Sequence, residues 1–101
     1  MIVQDVVVLK EAAEDLESGF VFYESRETGV GDYFWDSLIA DIESLSIFAG
    51  IHIRENGIYR MLSKRFPYAV YYEIKDEIAI VIAILPIRRD PLWLEKQIES
   101  R

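Results

Sequence analysis

Five cations of this chain lie close together in sequence: Arg60, Lys64 and Arg65, then the adjacent pair Arg88 and Arg89, followed by Asp90 and Trp93. Cations so placed can hold an anion, either the carboxylates of a protein segment or the phosphates of a nucleic acid. Phosphodiester cleavage by a neighbouring 2′-hydroxyl needs more. It requires a base near that hydroxyl, an acid at the leaving oxygen and cations on the phosphate. The acid and base are poorly supplied here. The only histidine, His52, lies in a loop before the sheet, and tyrosines such as Tyr68 start from a pKa of about 10. His52 has no partner at metal-ligand spacing, so neither a metal nor a cofactor is expected. The sequence has no cysteine, which excludes a disulfide scaffold, a zinc–thiolate site and a cysteine nucleophile.

Charge divides the chain. Residues 1–50 carry Lys10 and Arg26 against eleven carboxylates, and residues 51–101 carry nine Lys/Arg against seven. A total of −7 argues against general affinity for nucleic acid while allowing a local basic patch in the second half. Arg60, Lys64, Arg65, Arg88 and Arg89 are the residues expected to form it, with an acidic protein segment as a suitable ligand.

The hydrophobic pattern supplies the scaffold, an α+β domain in the order β-αα-βββ-α. Residues 2–9 read as a strand. From Lys10 to about Glu27, Leu9, Ala12, Ala13, Leu16, Phe20 and Tyr23 share one helical face. Thr28-Gly29-Val30-Gly31 is a turn, and Asp32 suits the N-cap of a second helix ending near Phe48. Residues 49–57 read as irregular. Three strands follow: Ile58–Phe66, Tyr68–Lys75 and Glu77–Leu85, the last two joined at Lys75-Asp76 and the last closed by Pro86. Asp90 and Pro91 then open a short final helix. The expectation is a helical hairpin on a four-stranded, mostly antiparallel sheet, forming one domain over residues 1–101.

In the last strand Ile78, Ile80, Ile82 and Ile84 alternate with Ala79, Val81, Ala83 and Leu85, which predicts a central strand covered on both faces. The hairpin covers one face; the final helix, a second copy or another protein must cover the other. Tyr71 and Tyr72 point to opposite faces, so at most one belongs to the core and Tyr71 is a candidate anchor for a partner. Trp93 reads as packing the final helix onto the sheet, and Asp90 as its cap. With no leader-like N-terminus and no apolar run of about 20 residues, a cytoplasmic protein without membrane contact is expected.

The chain resembles the RelE/ParE superfamily of toxins from bacterial type II toxin–antitoxin pairs, often labelled plasmid stabilisation proteins. The resemblance covers nearly the whole length. It rests on Ala12–Leu16 with Phe22-Tyr23, on Gly31–Phe34, and on Tyr59-Arg60. It rests above all on Arg65-Phe66-Pro67-Tyr68 with Val70-Tyr71-Tyr72, and on Arg88-Arg89-Asp90-Pro91 with Trp93. It implies growth inhibition held off by a cognate antitoxin, whose C-terminal segment folds as it wraps the toxin. RelE-like members cleave messenger RNA on the ribosome; ParE-like members inhibit DNA gyrase.

Two departures favour the ParE-like branch. Many relatives carry a histidine where this chain has Pro86, and RelE-like nucleases are usually basic. The alternatives are a ribosome-dependent endonuclease using Arg60, Arg65 and Arg88 around the scissile phosphate, and a non-toxic module that keeps only the antitoxin interface. A homodimer or a toxin–antitoxin hetero-oligomer is compatible with each.

Overall fold

A computed structural model describes residues 2–101. Its elements are β1 (Asp5–Val8), α1 (Lys10–Arg26), α2 (Val30–Glu43), α3 (Leu45–Phe48), β2 (Ile53–Glu55), β3 (Ile58–Leu62), β4 (Tyr68–Lys75), β5 (Ile78–Pro86) and α4 (Pro91–Glu99). The sheet has five strands in the order β1-β5-β4-β3-β2, with β1 parallel to β5 and the other pairs antiparallel. The α+β class, the helical hairpin and the C-terminal helix are as the pattern predicts.

The extra strand is β2, inside the segment expected to be irregular. Asn56 and Gly57 both adopt positive φ (53° and 82°), the two-residue turn whose twist matches that of a hairpin, so Ile53–Glu55 folds back on β3. The second helix of the hairpin also starts three residues earlier than expected. Gly29, at φ 93°, is the N-cap of α2, and Asp32 lies in the first turn instead of capping it. The carboxylate of Glu24 accepts the free N–H groups of Gly29 and Gly31 at 3.0 Å, so the end of α1 caps the start of α2. The second predicted helix breaks at Ser44 into α2 and α3.

Both sheet faces are covered. On one, Ala12, Leu16, Phe34, Leu38, Ile42 and Leu45 of the helices bury Val70, Tyr72, Ala79, Val81 and Ile84. On the other, Trp93, Leu94 and Ile98 pack on Ala69, Tyr71, Ile82, Ala83 and Leu85. Tyr71 and Tyr72 are therefore both core residues, at 7% and 0% exposure, and Tyr71 offers no free surface to a partner. The expectation that only one tyrosine could be buried fails because α4 covers the second face.

The strict alternation expected in β5 is also broken. Tyr71 pairs with Ala83 and Tyr72 with Val81, so Ile82 is an extra residue in a β-bulge. Val81 and Ile84 consequently face the helical hairpin, while Ile82 turns towards α4. At the bulge β1 has already ended, its last partner being Val81. Side chains take over from the missing strand: Asp15 accepts the N–H of Ile84 at 3.0 Å, and Arg101 donates to the carbonyl of Ile82 at 3.2 Å. Asp15 and Arg101 are also joined to each other in a bidentate ion pair.

Gly19 sets the approach of α1 to α2, because a Cβ there would lie 2.3 Å from the Phe34 ring. Phe34 cannot give way: it is fully buried, stacked on Tyr23 at 5.1 Å and in edge contact with Phe66 and Tyr68. Alanine normally stabilises a helix interior relative to glycine by about 1 kcal/mol, but overpacking costs about 1–3. The second effect should win. Gly19→Ala is expected to lower stability by about 1–2 kcal/mol, measured by urea unfolding.

Candidate functional site

The C-terminal end of β5, the start of β4, α1 and α4 enclose a cleft of about 580 Å³. The backbone sets its geometry. Tyr68 pairs with Pro86 at the end of the β4–β5 ladder, and Ile87 donates to the Pro67 carbonyl at 3.0 Å. Past that bond the chain leaves the sheet, and Asp90 caps α4 by accepting from the N–H of Leu92 at 2.8 Å, as the sequence predicts. Arg88 and Arg89 are thereby held on a short arm between a strand end and a capped helix. Both are exposed, and neither forms an ion pair among the described residues. The Arg89 guanidinium lies over the Trp93 ring, 3.8 Å from its centroid, which orients the cation without neutralising it.

The cleft is walled by Tyr23, Tyr68, Phe22 and Trp93, with Pro67 and Pro86 below the arginines. Tyr68 is buried, and desolvation, reinforced by Tyr23 and Asp15, pushes its hydroxyl up to about 12. Burial raises Tyr23 as well, partly offset by the nearby Arg88. Both phenols therefore stay protonated at neutral pH and serve as hydrogen-bond donors, which makes them unsuited to act as bases. The cleft offers cations, aromatic faces and donors, an arrangement that binds an anionic or aromatic-bearing segment.

The five sequence cations do not form one patch. Arg88 and Arg89 line this cleft, whereas Arg65, exposed on the loop leading to Pro67, does not. Arg60 and Lys64 instead line a second cavity of about 540 Å³, with Asp41, His52 and Met61, which shares no lining residue with the first. Arg60 lies on β3, whereas Lys64, expected on the same strand, lies beyond its end. β3 ends at Leu62, because buried Asp41 captures the Ser63 hydroxyl at 2.7 Å and draws the chain off the ladder. Ser18 and Gln97, which the sequence left unweighed, also line the first cleft, as does Phe22, quoted there only as part of a motif. Helical spacing alone could have placed Ser18 and Phe22 on one face of α1.

His52 has a structural partner that local sequence does not reveal. Tyr72 accepts the N–H of Gly50 at 2.9 Å, which leaves its own hydroxyl hydrogen for Nδ1 of His52, 2.5 Å away. That bond needs a neutral imidazole, and burial pushes the His52 pKa below its ordinary 6.5. The histidine stays unprotonated in the fold more readily than in the unfolded chain. The stabilisation is complete above pH 6.5 and is lost as the pH falls through the lowered native value. His52→Gln should be the less stable protein at pH 8, with the gap narrowing steadily below pH 6.5, as read from urea midpoints across the pH range.

No protein-family model matches the sequence, and no curated protein matches it. Among solved structures, a chain from the chromosomal ParDE TA system of P. aeruginosa superposes with a TM-score of 0.78. The match covers 85% of this chain and 98% of that one, at 14% identity. The fold is the RelE/ParE fold. The isolated E. coli RelE toxin also aligns over 95% of this chain and 97% of its own, at 15% identity, with a TM-score of 0.49. Within the RelE/ParE fold of this chain, the cleft occupies the junction of β4, β5 and α4, and position 86 at its base is proline. Among the described residues, no helix is long and apolar enough to cross a membrane, and no three His, Cys, Asp or Glu residues are grouped to hold a metal.

Proposed function

We propose that this chain is the toxin of a toxin–antitoxin pair and inhibits growth by gripping a protein, in the ParE manner, with DNA gyrase as the target. The observation that carries this reading is the fold shared with a chain of the ParDE TA system. The cleft supports the choice of branch. Two arginines without an ion-pair partner among the described residues, with an oriented tryptophan, suit a protein segment carrying carboxylates. Its two tyrosines are held protonated, and Pro86 can neither give nor take a proton at the base of the cleft.

Neutralisation follows from the same surface. A disordered antitoxin segment that orders over Arg88, Arg89 and Trp93 would occupy the target's site. The site of action is the cytoplasm, where both gyrase and antitoxin reside.

Induction of the chain in a bacterial host should arrest growth and raise a DNA-damage response. Co-expression of the neighbouring gene's product should relieve both. Primer extension on translated transcripts separates the nuclease reading. Cuts within codons that appear on induction would contradict the proposal, and intact transcripts in arrested cells would support it.

A further inference from the structure

β2 is shorter than the strand it pairs with. Its register on β3 runs from Glu55 with Ile58 to Ile53 with Arg60, so Met61 and Leu62 continue beyond it. The end of α2 meets this stretch, with the Ser44 hydroxyl 3.8 Å from the Met61 sulfur. The hollow between the end of α2, α3, the segment before β2 and the end of β3 is the cavity of about 540 Å³, a size typical of small-molecule sites. Its walls are mainly apolar. Phe48, Ile51, Ile53 and Leu62 line it and are each at least half exposed.

The polar groups in these walls carry both signs. Asp41 is only 5% exposed and belongs to no ion pair among the described residues. Its Oδ2 accepts from the Ser63 hydroxyl at 2.7 Å and from the Lys64 N–H at 3.4 Å. Among the described residues no donor reaches Oδ1, and no fully buried side-chain oxygen lacks a partner. Oδ1 therefore keeps its access to solvent, in a residue that lines the cavity. A largely desolvated carboxylate oxygen with no charged donor is best satisfied by an ammonium group.

Lys64 and Arg60 supply the opposite sign. Both are exposed, line the cavity and have no ion-pair partner among the described residues. His52 adds a neutral donor. Its Nδ1 takes the Tyr72 hydroxyl hydrogen, so the ring's own hydrogen sits on Nε2, which has no protein partner among the described residues. Simpler ligands leave one of these groups unmet. A fatty acid would cover Asp41 without giving Oδ1 a donor, and a simple amine would gain nothing from Lys64 and Arg60. A nucleotide needs aromatic faces for its base, whereas Ile51, Ile53, Met61 and Leu62 are aliphatic.

We propose that this cavity binds a free apolar α-amino acid of the leucine or phenylalanine kind. Its ammonium donates to Asp41 Oδ1, its carboxylate accepts from Lys64 and from Nε2 of His52, and its side chain rests on Phe48, Ile51 and Met61. The cavity shares no lining residue with the arginine–tryptophan cleft, and the inference does not depend on the toxin reading.

The probe is L-phenylalanine, titrated into the full chain and followed by NMR at the His52 imidazole and the Met61 methyl group. Phenethylamine lacks the carboxylate and 3-phenylpropionate lacks the ammonium. Each should bind at least about ten-fold more weakly than L-phenylalanine, the worth of one charge-assisted hydrogen bond. Lys64→Glu alters an exposed side chain, so it should keep the wild-type unfolding midpoint while weakening L-phenylalanine by a similar factor. Asp41→Asn would also disturb the end of β3, so the charge on Asp41 is tested from the ligand side, by 3-phenylpropionate. A smaller difference for either analogue, or a Lys64→Glu variant that binds as the wild type does, overturns the proposal. So does the absence of any shift up to the solubility limit of L-phenylalanine, or a shift of the Trp93 indole signal in place of those from His52 and Met61.

Discussion

Cells induced for the Arg88→Glu/Arg89→Glu double variant should keep growing where the wild-type chain arrests them. The expected difference is several orders of magnitude in colony count, because the substitution inverts the cleft's charge without disturbing its walls. Both side chains are exposed and unpaired among the described residues, so the fold should lose only the Arg89–Trp93 contact. That contact is worth about 0.5–1 kcal/mol at an exposed site. A circular dichroism melt near that of the wild type, together with loss of arrest, is the predicted pair of results. Arg88→Lys/Arg89→Lys separates charge from shape: a partner recognised through carboxylates in bidentate pairs should be bound more weakly by lysine, giving partial arrest.

The second large effect concerns stability. Asp15→Ala removes in one step the acceptor for the Ile84 N–H and the counter-ion of Arg101. Both charged side chains are mostly buried, at 14% and 11% exposure, so the guanidinium would be left desolvated and unpaired. Breaking a buried pair on one side costs about 3–5 kcal/mol. The lower end applies here, and Tm should fall by on the order of 15 °C for a domain of this size. Arg101→Ala should cost a similar amount, and the double variant less than the sum of the two. A coupling of about 1–3 kcal/mol from the thermodynamic cycle would identify the pair as one unit. Because Asp15 also lines the cleft, and Arg101 follows the helix that carries Trp93, partial loss of growth arrest should accompany the loss of stability.

Much of this architecture is legible in the sequence because it is written in short-range periodicity. The stripe from Ala12 through Leu16 to Tyr23 defines α1. The apolar run from Ile78 to Leu85 defines a doubly covered strand, and Asp90-Pro91 marks the start of α4. β2 was legible too. Asn56-Gly57 is a strong hairpin signal, obscured because Ile53–Glu55 is too short for its alternation to register.

Other features arise only from long-range contact. The bulge at Ile82 reverses side-chain facing in mid-strand, and its backbone groups find partners 69 and 19 residues away, in Asp15 and Arg101. Nothing local to Tyr71 signals that α4 will fold over it. The division of the cations followed from Asp41, a buried carboxylate on α2 that ends β3 early and sends Lys64 away from the arginines of β5. In each case residues far along the chain decided the outcome, polar groups at the bulge and at the end of β3, and the apolar face of α4 over Tyr71.

The claim that this chain grips a protein rests most directly on DNA gyrase. Purified chain, titrated into a supercoiling assay with relaxed plasmid, should inhibit the reaction in proportion to its concentration. The Arg88→Glu/Arg89→Glu variant should leave supercoiling intact. Supercoiling unchanged by the folded wild-type chain across a wide concentration range would contradict the account.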